Sequence, residues 1–412
     1  MHILILPSWY PKDSNDNVGT FFRTQAIAIA KSNIKVGVVT PSLRSLRNWK
    51  TILSEPYGIS YEKEQSVSTY RNHGMAWIPR KQRPKGWNWL QKVSREYWVK
   101  KANYVFNHYL KIEGQPDLVH VHSMLNAGIL ALQIKEKYQI PYVITEHSSW
   151  FARRLISKQQ QVIIQRVAMS AKKRLAVSES LCNLLNSQFS LSDKYWEPTT
   201  NIVDQIFFQR KSKAPRPNSK EFHFSCIGFL TENKCIDKLI RAFAFNFSGQ
   251  NWIKLRIGGD GPERVYLEKL AEEMKVQLQV EFLGNLSKMQ VADTIAESDV
   301  LVSASNYETF GVVIIESLAL GVPVISTNSG GPESIVTKDD GLLIPPNDEK
   351  ALSEAMNRML VSIDRYNAAE IRHRCFARFS EKIVTKKLLH VYKEIISERS
   401  SDIKKNIPNI SQ

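Results

Sequence analysis

The sequence predicts an α/β chain built of two doubly wound parallel sheets. Three observations carry this reading. Short β-branched or apolar runs alternate with longer helical patterns from one end to the other, the runs fall into two series, and a Pro-, Ser- and Lys-rich stretch separates the series. A length of 412 residues agrees, because single cores stop growing at roughly 250 to 300 residues. In the first series strands are expected at His2–Leu6, Lys35–Val39, Leu118–His122, Tyr142–Thr145 and Leu175–Val177. The second series runs through Phe222–Ile227, Lys254–Ile257, Val280–Leu283, Val300–Val302 and Val322–Ser326. Between them Ser212–Lys220 lacks large apolar residues and reads as a linker, which places the domains at 1–208 and 209–379. The remainder, 380–412, begins as an amphipathic helix carrying Ile383, Leu388, Leu389, Tyr392 and Ile395, expected at the domain junction, and ends in a polar tail expected to be disordered. In open α/β sheets ligands sit beyond the carboxyl ends of the strands, so two such domains facing each other are expected to enclose the site in a cleft.

Composition narrows the class. The start, Met-His-Ile-Leu-Ile-Leu-Pro, has no basic segment and too short an apolar run for a signal peptide, and no stretch reaches the ~18 apolar residues of a membrane span. Cys182, Cys226, Cys235 and Cys375 are scattered with no C-x-x-C pair, so neither disulfides nor zinc are suggested, and a cytoplasmic location is expected. A net charge of +16 implies an anionic partner or surface. Much of it lies between Arg80 and Lys101, where eight basic residues and one acidic one are interleaved with Trp87, Trp89, Tyr97 and Trp98. Seven more basic residues and no acidic one lie between Glu146 and Glu179. Trp87, Leu90, Ser94 and Trp98 share one helical face, so the 80–101 segment reads either as a basic helix peripheral on an anionic membrane or as a solvated helix with its Trp side chains in the core. No RNA-binding motif or groove-reading helix accompanies the charge, so no nucleic acid is expected as a partner.

The most specific segment is Asn306-Tyr-Glu-Thr-Phe-Gly-Val-Val-Ile-Ile-Glu316. A loop ends and a helix begins near Phe310 and Gly311, so free amides and the helix dipole there suit a diphosphate. Glu308 precedes that terminus and Glu316 lies one and a half turns inside it, so the two carboxylates can hold different hydroxyls of one extended ligand. Upstream, Gly228-Phe-Leu-Thr-Glu-Asn-Lys234 is a strand end before a helical pattern from Ile236 to Phe247, and Lys234 there can neutralise charge on a departing diphosphate. Gly258-Gly-Asp-Gly-Pro262 reads mainly as a turn into a helix starting near Pro262. In the first domain Pro7 to Arg23 is a loop into a helix running to about Ala30, and His120, His122 and His147 end strands.

On these motifs the chain resembles the retaining family 4 glycosyltransferases, whose GT-B fold pairs two facing Rossmann-like domains. The Glu-x7-Glu pattern with Phe-Gly after the first Glu is their hallmark, and the similarity extends through Gly258–Pro262, Phe282-Leu-Gly284, Gly321-Val-Pro-Val-Ile, Gly330-Gly-Pro-Glu333, Asp340-Gly-Leu-Leu-Ile-Pro and Asn201-Ile-Val-Asp204. The resemblance implies that Glu308 orients the transferred sugar, Glu316 binds the ribose, amides at Phe310 and Gly311 cradle phosphate, and the loop from Gly284 and Asn285 borders the base. It matches Gly19, followed by Thr20, to a loop near the acceptor and the donor phosphates, and His147 to a histidine that bonds the sugar. Two departures stand out: relatives carry Arg and Gly where this chain has Phe229 and Cys235, which removes one expected phosphate contact. The implied reaction moves a hexose-type sugar from a nucleotide-diphosphate sugar with retention, and the basic Trp-rich stretch suggests a glycan or lipid-linked acceptor, as in bacterial lipopolysaccharide, capsule or exopolysaccharide assembly. No Asp-x-Asp occurs in the chain, so no metal or other cofactor is expected. The rival readings are a nucleotide-sugar epimerase or phosphorylase of the same architecture, and a basic nucleic-acid-binding protein.

Overall fold

In the computed structural model the described residues are 1–13, 16, 18–45, 57–76, 88–189, 195–210 and 221–405. The expected linker at 212–220, the basic residues 80–87 with Trp87, and the tail from 406 lie outside them. The chain divides into two units. One comprises Met1–Ala176, Leu185–Thr199 and Thr385–Gln412, the other Val177–Leu184 and Thr200–Val384. The main division thus falls at Thr199, nine residues before the boundary expected from the linker composition.

The first unit contains β1 (His2–Pro7), α1 (Thr20–Ala30), β2 (Lys35–Ser45), β3 (Gly58–Glu64), β4 (Val67–Ala76), α2 (Asn88–Glu113), β5 (Leu118–His122), a π-helical turn (Met124–Gly128), α3 (Ile129–Tyr138), β6 (Tyr142–Glu146), α4 (Lys158–Ser170), β7 (Lys173–Ala176), α5 (Glu179–Gln188), which the division cuts, and β8 (Glu197–Pro198). Their sheet has the order β3-β4-β2-β1-β5-β6-β7-β8. All neighbours pair parallel except β3 with β4. Strands covered on both faces read as unbroken apolar runs, and Ile3 to Leu6 are fully buried. The β3–β4 hairpin was not among the expected strands, for two physical reasons. β3 is largely exposed, so it has no apolar alternation, and its turn residues Gln65 and Ser66 take positive φ (42° and 71°) without the Asn-Gly or Gly that announces such a turn.

The second unit contains α6 (Gln205–Gln209), β9 (Phe222–Ile227), α7 (Ile236–Phe247), β10 (Ile253–Gly258), α8 (Arg264–Glu273), β11 (Val280–Gly284), α9 (Lys288–Ala296), β12 (Val300–Ser303), α10 (Val312–Ala319), β13 (Val324–Thr327), β14 (Gly341–Ile344), α11 (Glu349–Ser362) and α12 (Ala368–Phe379). The order β11-β10-β9-β12-β13-β14, all parallel, reverses direction between β9 and β12. Such a reversal opens a crevice beyond the strand ends, and it selects the loops after β9 and β12 as the place for a ligand. Helix α7 turns Leu239, Ile240, Phe243 and Phe247 inward at helical spacing, and Phe247 stacks on Phe224 of β9 at 5.7 Å. β14 went unlisted as a strand although its Gly-Leu-Leu-Ile was noted as a motif.

The last helix, α13 (Glu381–Lys405), was expected at the junction. It begins in the second unit, and from Thr385 it belongs to the first, where Tyr392 Oη lies 2.6 Å from His120 Nδ1 and Arg399 donates to the Asp117 carbonyl at 3.2 Å. Val384, Leu388, Tyr392 and Ile395 are the buried stripe.

Candidate active site

In the second unit the loops after β9, β10 and β11 are fastened by backbone hydrogen bonds. The Gly228 amide donates to Gly258, Leu230 to Asp260, and Gly259 to Gly284, at 2.9, 2.9 and 2.7 Å. At Gly259, φ is +133° and a Cβ would stand 1.8 Å from the Gly228 oxygen, so only glycine fits. The glycine-rich turn is therefore a scaffold that fixes the loop carrying Lys234, and the helix behind it starts at Arg264.

After β9 a 3-10 turn spans Glu232–Lys234 and Cys235 takes the left-handed conformation at φ +50°. That geometry explains why glycine is the ordinary residue there; a cysteine in it costs roughly 1–2 kcal/mol of backbone strain. The turn brings Lys234 Nζ to 2.7 Å from Glu308 Oε2. Glu308 is itself held from both sides, its amide donating to Ser329 and its carbonyl accepting from Gly331. Asn233 adds a tie that sequence reasoning missed. Its carbonyl accepts from the Asn306 amide at 2.8 Å, and its Nδ2 donates to the Tyr307 carbonyl at 3.0 Å, so the loops after β9 and β12 are one piece. Burial works against the Lys234 charge, yet the Glu308 carboxylate outweighs it and raises the lysine pKa.

Three residues on, Gly311 caps α10 at φ +103°, where a Cβ would meet Ile314 Cδ1 at 2.8 Å. No side chain caps this helix, and among the described residues nothing accepts from the Gly311, Val312 and Val313 amides, so the helix starts at the expected place with free amides and the positive end of its dipole. Phe310 has only its backbone to offer a ligand, because its ring is buried against Phe379 at 6.0 Å. Glu316 is half-buried, its carboxylate has no hydrogen-bond partner among the described residues, and burial pushes its pKa up to about 8 despite Lys288 nearby. Lys288 and Asp204 pair at 2.7 Å beside it, a contact spanning 84 residues that no local pattern announces. Gly284 ends β11 at φ +70° with Arg264 at its face, and Asn285 is exposed. Phe229, standing where relatives carry Arg, is 59% exposed.

The first unit gathers a second set of groups. β5 places His120 and His122 on one face, and β6 ends beside them at His147. His120 meets Thr145 Oγ1 at 2.8 Å, and His122 Nδ1 lies 3.1 Å from His147 Nε2. Burial pushes the pKa values of all three down, so the rings are neutral. Sequence reasoning passed over Glu146, a fully buried carboxylate that accepts from the Met124, His147 and Ser148 amides at 2.9, 2.9 and 2.8 Å and so fixes the backbone at His147. Burial raises its pKa against those bonds. Gly19 caps α1 at φ +79°, packed under Trp9, and Thr20 opens the helix half-buried.

In the basic helix α2, Leu90 and Ser94 are half-buried and Trp98 is only 4% exposed, so on this face Trp98 follows the second of the two readings, a tryptophan in the core. A different stripe is open: Trp89, Val93 and Tyr104 are exposed, beside Lys92 and Lys100. Among the described residues no helix is long and apolar enough to cross a membrane.

Comparison with known proteins bears on the family and the fold. Residues 207–374 match the family described as Glycosyl transferases group 1, and residues 18–196 match Glycosyltransferase Family 4. The putative teichuronic acid biosynthesis glycosyltransferase TuaC of Bacillus subtilis is 28% identical over 87% of this chain and 89% of its own. The N-acetyl-alpha-D-glucosaminyl L-malate synthase of Bacillus anthracis is 28% identical over 65% of this chain and 72% of its own. Among solved structures, sucrose-phosphate synthase from Thermosynechococcus elongatus is similar with a TM-score of 0.76 at 19% identity, covering 97% of this chain and 100% of its own. The lipopolysaccharide outer core galactosyltransferase WaaB is similar with a TM-score of 0.64 at 17% identity, covering 96% and 100%. With both units matched by family and fold, this chain belongs to the family 4 glycosyltransferases and has their GT-B fold.

Proposed function

We propose that the chain transfers a hexose-type sugar, with retention, from a nucleotide-diphosphate sugar to a glycan or lipid-linked acceptor of a bacterial surface polysaccharide. The observation that carries this is the Lys234–Glu308 pair, 2.7 Å apart, in the loops after β9 and β12 and three residues before the uncapped terminus of α10. A departing diphosphate builds negative charge, and Lys234 together with the α10 amides would neutralise it without a metal ion. Glu308 would orient the sugar and Glu316 accept the ribose hydroxyls, with Gly284 and Asn285 beside the base. In the transfer the anomeric carbon–phosphate oxygen bond breaks, a bond to the acceptor oxygen forms on the same face, and the acceptor proton passes to the leaving phosphate oxygen. Support for the donor class comes from a structural neighbour, HepE of Anabaena, solved with UDP and with UDP-glucose. Support for the acceptor class comes from TuaC and WaaB, whose names place them in teichuronic acid and lipopolysaccharide synthesis.

The test is a thermal-shift screen of nucleoside diphosphates and nucleotide sugars. A matching nucleotide at 100 times its Kd stabilises the folded chain by about 2.7 kcal/mol, which raises Tm by several degrees. The hit is then incubated with and without acceptor: consumption only with acceptor supports transfer, whereas interconversion without one identifies an epimerase. If no nucleotide raises Tm, the assignment fails.

The exposed Trp89, Val93 and Tyr104 beside Lys92 and Lys100 favour a second element of the reading, docking on an anionic membrane surface where a lipid-linked acceptor resides. Flotation with vesicles containing anionic lipid is expected to carry the protein, and binding is expected to fall with salt and with Trp89→Ala. Equal recovery with neutral vesicles would reject it.

A further inference from the structure

The buried histidines of the first unit restrict where their hydrogens can be. His122 Nδ1 and His147 Nε2 face each other at 3.1 Å, so one of them donates to the other. The remaining nitrogens, His122 Nε2 and His147 Nδ1, are buried and have no hydrogen-bond partner among the described residues. His120 cannot relieve either, because its own nitrogens are engaged by Tyr392 Oη and Thr145 Oγ1. A neutral imidazole carries one N–H, which leaves two arrangements.

In the first, His122 donates from Nδ1, His147 carries its hydrogen on Nδ1, and His122 keeps only an unmet lone pair. In the second, His147 donates from Nε2, and the unmet N–H sits on His122. These differ in where the orphan donor lies. His122 is fully buried, with the Phe22 ring 4.7 Å away, whereas His147 stands at the margin of the core, 7% exposed, next to Phe21 at 5.2 Å. A sealed N–H without an acceptor is the rarer and more costly defect, and desolvating an unpaired donor costs about 1–3 kcal/mol. The first arrangement moves that donor to the less deeply buried of the two rings.

We propose that His122 is a positioning residue: it donates from Nδ1 to His147 Nε2 and thereby holds His147 in the tautomer whose Nδ1–H is free to donate to an oxygen of the bound carbohydrate. This rests on the reading above, in which His147 touches the sugar. A neutral N–H suits a hydroxyl or ring oxygen rather than a phosphate. Because Nδ1 is buried, donation to a sugar requires a neighbouring side chain to move, and the rings of Phe21 and Phe22 in the first turn of α1 stand 5.2 and 4.9 Å from His147.

Long-range 1H–15N spectra of protein labelled with 15N-histidine report each ring's tautomer without any substrate. His147 is expected to carry its hydrogen on Nδ1. His122→Phe keeps a ring in the space but removes the donor, so His147 should shift to the Nε2–H form and kcat should fall about tenfold with donor KM little changed. His122→Asn, whose amide stands near the lost Nδ1, should restore most of kcat. A wild-type spectrum with the hydrogen on Nε2 overturns the proposal even if the variants do not fold, and so does a His122→Phe enzyme that shifts tautomer yet keeps kcat within twofold. Undiminished transfer by His147→Ala, with the spectrum as expected, would instead refute the underlying role of His147 and leave the tautomer assignment standing.

Discussion

Replacing Lys234 by alanine is expected to lower kcat by about 10²- to 10³-fold, the scale seen when one preorganised donor to developing charge is removed. The lysine ammonium is half-buried and fixed at 2.7 Å from Glu308 by two loops that Asn233 ties together, so it needs no reorganisation when the diphosphate departs. Folding should suffer much less, because Glu308 keeps some exposure and can hydrate once its partner is gone. Two roles have to be separated: neutralising the leaving group, and merely compensating Glu308. Glu308→Ala supplies the background. If Lys234 acts on the leaving group, its removal lowers kcat again when Glu308 is already absent; if it only balances Glu308, the second loss vanishes. A Lys234→Ala enzyme within threefold of wild-type kcat would contradict the proposed mechanism altogether.

What could be read from the residues divides along a physical line. Strands buried on both faces, such as Ile3 to Leu6, show themselves because burial forces an unbroken apolar run, and the helix tip at Gly311 shows itself because a glycine and a hydrophobic run must meet there. Properties made by packing between distant segments do not show. The β3–β4 hairpin turns on Gln65 and Ser66, residues with no turn signature. The tryptophans of α2 could not be sorted by composition, since Trp98 in the core and the exposed Trp89 sit in the same basic surroundings. Neither the Lys288–Asp204 pair nor the Glu146 carboxylate beneath His147 has a local cue, because each depends on chain brought from elsewhere. The pairing of Lys234 with Glu308 lies between these cases: each was singled out by its own motif, and only the fold shows that Asn233 and Gly259 set their distance.

Glu316 extends that argument to a pH dependence that runs opposite to the ordinary surface carboxylate. Its pKa is pushed up to about 8 by burial, against roughly 4.3 for an unfolded glutamate, so between those values the folded state holds a proton that the unfolded state has lost. Stability therefore falls as pH rises through this window, and Glu316→Gln, which never ionises, should melt several degrees above wild type at pH 8.5 and match it near pH 4. Donor binding should move the other way. A ribose diol donates to the carboxylate but not equally to the acid, so the nucleotide must displace the proton, and wild-type affinity should rise about tenfold from pH 7 to pH 9. Calorimetry at pH 7 in buffers of different ionisation enthalpy should register release of close to one proton on binding. Loss of the carboxylate removes a charge-assisted hydrogen bond worth about 1.5–3 kcal/mol, so Glu316→Gln should bind the donor roughly 10- to 100-fold more weakly at pH 9 and show no rise with pH. A Gln variant that keeps wild-type affinity at high pH would take the ribose away from Glu316, whereas one that is neither more heat-stable nor insensitive to pH would show that this carboxylate is already ionised before the nucleotide arrives.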